Sequence, residues 1–122
     1  MRGEASDEKF HKKEHLLKSR EFAKVYKRGA SGRLDGIVFY CMPNGLKYNR
    51  LGFSIGSKNV KNATSRNRIR RLFKEVYRKL KRYMRTGFDI VMVVKKDLHA
   101  TLTYGSAEAI FRRLTKNANI MI

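Results

Sequence analysis

The chain has 122 residues, with 29 Lys and Arg against 10 Asp and Glu, a net charge of +19. That length argues for one domain with one modest core, and a hydrophobic content of 42% is enough to build it. Charge of this size opposes compaction unless a polyanion neutralises it, so nucleic acid is the leading partner and an anionic membrane surface the second. No apolar run is long enough to cross a bilayer and no signal-peptide pattern opens the chain, so a cytoplasmic protein is expected. Residues 1–17 are polar and without period, and read as a mobile arm ahead of a single domain over residues 18–122. His11 and His15 lie four apart, but with no third ligand nearby they read as solvated side chains. Ser19 can cap a short helix with Phe22, Val25 and Tyr26 on its apolar edge and Gly29 at its end. Residues 30–36 read as a loop and 37–42 as a strand. In that strand Cys41, the lone cysteine, is taken as a small buried apolar residue. Pro43-Asn44-Gly45 signals a turn joining a hairpin to a second strand over residues 50–55.

The next segment dominates the chain. Read as a helix, Ile69, Leu72, Phe73, Val76, Leu80 and Tyr83 form one apolar stripe. The remaining positions carry Arg66, Arg68, Arg70, Arg71, Lys74, Arg78 and further Lys and Arg, with Glu75 the only acid. A helix made only to be soluble would mix signs and gain i,i+4 ion pairs. One that accumulates like charge suits a surface that a polyanion covers. Asn59 or Asn62 can cap its start and Gly87 can close its end. Residues 88–94 form a nearly continuous apolar run, expected as the central strand. A last helix, capped by Ser106, places Ala109, Ile110, Leu114 and Ala118 on one side and Arg112, Arg113 and Lys116 on the other. The order helix, strand, strand, helix, strand, helix makes an α/β sandwich of helices on a small sheet.

The chemistry of a self-sufficient nuclease is missing from this pattern. A two-metal nuclease needs several convergent carboxylates. No two acids here form a motif on one face, and there is neither zinc spacing nor a phosphate-binding glycine loop.

Asn62-Ala63 followed by Arg66-Asn67-Arg68-Ile69-Arg70-Arg71 resembles the signature helix of the protein subunit of bacterial ribonuclease P. Ser19-Arg20-Glu21-Phe22-Ala23-Lys24-Val25-Tyr26 resembles that family's first helix. Arg50-Leu51-Gly52-Phe53-Ser54-Ile55 and Gly87-Phe88-Asp89-Ile90-Val91 resemble the strands on either side of the signature. The resemblance implies an α+β sandwich in the order α-β-β-(β)-α-β-α, with a small mixed sheet and a left-handed βαβ crossover. It implies a subunit of an endoribonuclease that removes the 5′ leader of precursor tRNA, with the catalytic centre and magnesium on the RNA subunit. The partners implied are that RNA subunit and precursor tRNA, with no membrane and no obligate protein partner. Carried over residue by residue, Arg66, Asn67, Arg68, Arg70 and Arg71, with Lys74 and Arg78 on the same helix, should face the RNA subunit. Phe22, Tyr26 and Tyr40, with Lys58, Lys95 and Lys96, should form a cleft for the single-stranded leader. Two departures stand out: Lys61 replaces the usual Gly before Asn-Ala, and Tyr26 stands where Phe is more frequent. Other RNA-binding proteins, ribosomal ones included, would share the charge without requiring the aromatic cleft. A DNA-binding helix-turn-helix fits poorly with a long basic helix flanked by strands.

Overall fold

In a computed structural model that describes residues 9–122, the chain forms α1 (Ser19–Arg28), β1 (Ala30–Leu34), β2 (Ile37–Pro43), β3 (Arg50–Ser54), α2 (Ala63–Leu80), β4 (Phe88–Val94) and α3 (Tyr104–Asn117). The sheet order is β1-β2-β4-β3, with β4 antiparallel to β2 and parallel to β3. This is the α+β architecture that the resemblance implied, with α2 as the crossover between two parallel neighbours.

Alternation along the strands divides the core in two. Ile37, Phe39, Cys41, Leu51, Ile90, Met92 and Val94 point to the side covered by α2 and α3, where Ile69, Phe73, Val76, Tyr77, Phe111 and Leu114 complete the main core. Tyr40, Met42, Val91 and Val93 belong to the opposite side, where Val25, Phe22 and Leu16 pack on them in a smaller cluster. Burial pushes the Cys41 thiol pKa up, as suits a core residue.

Several expectations need correction. Residues 30–34 form an edge strand rather than a loop. Their composition is poor in apolar side chains, and the ladder to β2 holds them instead. The hairpin lies between β1 and β2, where Asp35 and Gly36 take φ of 51° and 80°, the pair of left-handed residues that a tight hairpin turn requires. Pro43-Asn44-Gly45 does not join a hairpin, because β4 lies between β2 and β3. The loop over residues 44–49 instead crosses the start of β4. There the Asn44 backbone N–H donates to Gly87 O at 2.8 Å, and Asn49 bridges the Arg85 carbonyl and the Phe88 N–H at 2.9 Å each. The basic helix ends at Leu80 and tightens into a 3₁₀ turn, Lys81–Tyr83, so Gly87 is not its cap.

The arm also begins to fold earlier than expected. Residues 1–8 lie outside the described residues. From Phe10 onward the chain packs: Phe10 stacks on His15 at 3.9 Å, Leu16 is buried, and the Leu16 N–H donates to Leu51 O at 3.0 Å along the outer edge of β3. Glu14 is buried and anchors this segment to α2. Its carboxylate accepts from Lys81 Nζ at 3.0 and 3.1 Å and from the Tyr77 hydroxyl at 3.3 Å. Burial, then Glu14, raises the Tyr77 pKa and keeps that hydroxyl protonated as a donor. Glu14→Ala should therefore destabilise the fold by about 1–3 kcal/mol, because it leaves the buried Tyr77 hydroxyl without its acceptor and takes the carboxylate from Lys81, which keeps the Lys9 carbonyl. Urea unfolding measures this directly, and a loss under about 0.5 kcal/mol, the range of ordinary surface changes, would refute it.

Candidate nucleic-acid interface

The basic helix sorts its charges into flanks. Asn67 and Arg71 are exposed on its crest, with the half-buried Arg78 further along. Arg70 and Lys74 lie on the flank that faces α1 and the N-terminal segment, and line a groove with His15, Leu17, Phe22 and Phe53. Arg68 lies on the other flank and donates to the His99 carbonyl at 3.1 Å. Crowding is evident at Lys74: burial first, then the Arg70 charge, hold its pKa below the ordinary lysine value.

Not every arginine of the signature is equally available. Arg66 Nη1 donates to the carbonyls of Val60 and Lys61 at 2.8 and 2.9 Å, so this side chain braces the loop leading into α2. Asn62 occupies the cap position without a side-chain capping bond, and Lys61 stays outside the helix while Val60 is buried beneath it. Arg70 Nη1 donates to Asn67 Oδ1 at 2.7 Å, and Arg78 pairs with Glu75.

Three aromatic residues, Phe22, Tyr26 and Tyr40, come together on the other face of the sheet. Tyr26 meets Tyr40 edge-on at 5.0 Å and Phe22 at 6.3 Å, joining α1 to the floor of the sheet. Phe22 lies against Gly52, where a methyl group would approach its Cζ to 2.6 Å and the Leu16 carbonyl oxygen to 2.8 Å. The absence of a side chain on β3 at this point lets α1 sit close. Arg50 fixes the angle of α1. Two of its nitrogens reach the two oxygens of Asp89 at 2.7 Å each, and the third reaches Glu21 Oε2 at 2.9 Å. The guanidinium thus clamps α1 to the start of β3 and β4.

Lys58, Lys95 and Lys96 are exposed at the other end of this pair of parallel strands. Asn59 Nδ2 donates to Val94 O at 3.3 Å and Lys95 N–H to Gly36 O at 2.7 Å, which brings the three lysines to one end of the sheet. Tyr40 lies opposite Val91, so the end of β4 is about 10 Å beyond the aromatic cluster at roughly 3.3 Å per residue. Residues that the sequence reading missed are His15, Leu17, Gly52 and Phe53, which connect the Arg70–Lys74 flank to Phe22. The adjacent apolar pair Leu16-Leu17, just ahead of α1, was the signal for them.

Among the described residues no three His, Cys, Asp or Glu side chains gather as a metal site. Glu14, Glu21, Glu75, Asp89 and Glu108 are each held by a lysine or arginine. Among the described residues, these engaged carboxylates do not fit a magnesium centre.

A small, strongly basic α+β protein with a cationic crossover helix beside an aromatic cleft is the class these features define. The family model for Ribonuclease P matches residues 10–119. The ribonuclease P protein component of Natranaerobius thermophilus is 36% identical over 106 residues, covering 87% of this chain and 90% of the relative. Among solved structures, the Thermotoga maritima RNase P protein is 30% identical with a TM-score of 0.76, covering 85% of this chain and 96% of that one. A Staphylococcus aureus RNase P protein mutant, described as defective in mRNA degradation activity, is 25% identical with a TM-score of 0.81, covering 90% and 92%. This chain belongs to the ribonuclease P protein family.

Proposed function

We propose that the chain binds the RNA subunit of ribonuclease P through α2 and holds the single-stranded 5′ leader of precursor tRNA between α1 and the sheet. Hydrolysis of the phosphodiester bond, with its magnesium ions, then belongs to the RNA subunit, and the assembly works in the cytoplasm. The observation that carries this reading is the pairing of two surfaces of different chemistry. Arg70, Arg71 and Lys74 offer charge suited to phosphates. Phe22, Tyr26 and Tyr40 offer ring faces and edges suited to unpaired bases. The groove past His15 and Phe53 connects the two, so one protein can hold a folded RNA and a single strand at once.

Cleavage of a precursor tRNA at low magnesium tests the proposal, comparing the RNA subunit alone, the protein alone and both together. Activity that requires both supports it. Activity from the protein alone would place the chemistry on this chain and overturn it. Tight RNA binding without stimulation would leave a structured-RNA-binding protein as the better reading.

A further inference from the structure

A second basic concavity lies at the far end of α2, outside both surfaces described above. It has a volume of about 330 Å³ and is lined by Lys13, Lys47, Tyr48, Lys81 and Arg82, with Glu14 at its wall. Its cations come from three separate parts of the chain: Lys13 from the 3₁₀ turn Lys12–Glu14, Lys47 from the loop between β2 and β3, and Lys81 and Arg82 from the turn after α2. Among the described residues Glu14 is the only carboxylate in the lining, and it is already engaged by Lys81 and Tyr77. Lys13 Nζ sits over the Tyr48 ring at 4.6 Å, which orders an ammonium group and an aromatic face at one rim. Lys13 and Lys47 are exposed and come to this hollow from separate segments, an arrangement of like charges that suits an anion between them.

We propose that this concavity binds a phosphodiester group of RNA, as a contact separate from the leader cleft. It lies where β3 begins, whereas Lys58 and Lys95 lie where β3 and β4 end. From Arg66 to Lys81 the helix rises about 22 Å at 1.5 Å per residue, so a folded RNA lying along α2 reaches both ends. That continuity assigns the phosphate to the RNA subunit rather than to precursor tRNA. The inference rests on the proposed function, because it takes the RNA along α2 to be that subunit.

The test uses the full chain with Lys13→Ala and Lys47→Ala combined, and in parallel Lys47→Glu. Both lysines are exposed, so thermal unfolding should match that of the unaltered protein. Affinity for the RNA subunit is measured over a range of salt concentrations, and the preference for precursor over mature tRNA is measured in the assembled enzyme. The expected result is an affinity loss of about tenfold, a salt slope reduced by roughly one to two, and an unchanged precursor preference. Unchanged affinity and slope would overturn the proposal while leaving the functional reading intact. A reduced precursor preference with unchanged affinity for the RNA subunit would give the site to tRNA and overturn the assignment made here. Failure of the unaltered protein to bind the RNA subunit would overturn the functional reading, and this inference with it.

Discussion

Affinity for the RNA subunit should fall by about 10³ to 10⁵ between 50 and 200 mM salt if six to ten phosphates are contacted. The cause is release of counterions from the RNA when lysine and arginine replace them. The net charge of +19 supplies the cations, and α2 concentrates them on one side. The geometry refines the expectation residue by residue. Arg71 is exposed on the crest of α2, so Arg71→Ala should lower the salt slope by roughly one without changing the melting temperature. Arg66 also braces the Val60 and Lys61 carbonyls, so Arg66→Ala should lower the melting temperature as well as the affinity. Filter binding across a salt series, with calorimetry on each variant, separates the two. A flat salt response would remove the argument from charge, and identical behaviour of the two variants would remove the distinction between them.

The parts of this fold that could be read in advance are those set by local pattern. Ile69, Phe73, Val76 and Leu80 are all buried, as helical periodicity required. The apolar run at residues 88–94 is an interior strand, with β2 and β3 on its two sides. The failures come where a distant segment overrides the local signal. Tyr83 was placed on the buried stripe but is 47% exposed, because the helix tightens at Lys81 and the period changes. Tyr77 was left off the stripe but is buried, because Phe10 and Glu14 cover it from a segment more than sixty residues away. Asp35-Gly36 carried a recognisable hairpin signal, yet the poor apolar content of β1 hid the strand that it serves. At the site, residue types predicted which side chains offer charge and which offer rings. They could not predict that Arg66 and Arg68 also bind backbone carbonyls, since the positions of those carbonyls depend on the loops around α2. Nor could they locate Arg50 as the clamp on α1, because its two carboxylates come from different elements.

Replacing Phe22 and Tyr26 together by alanine should weaken binding of precursor tRNA while leaving mature tRNA unaffected. Stacking of one base on an aromatic side chain is worth roughly 1–3 kcal/mol, or about five- to 150-fold, and loss of both rings should approach the upper end. The two positions differ in what else they do. Phe22 packs against Gly52 and the Leu16 segment, so its loss also loosens the seat of α1. Tyr26 is 40% exposed and touches Phe22 and Tyr40 through ring edges, which makes Tyr26→Ala the cleaner probe of the leader contact. Tyr26→Phe keeps the ring and should retain the precursor preference, whereas Tyr26→Leu keeps bulk without a π face and should lose most of it. The readout is the ratio of affinities for precursor and mature tRNA in the assembled enzyme. That ratio cancels any general loss of fold or of RNA-subunit binding. An equal loss for both substrates would show that the rings support the fold rather than the leader. An unchanged ratio in Tyr26→Leu would show that shape, not stacking, holds the strand.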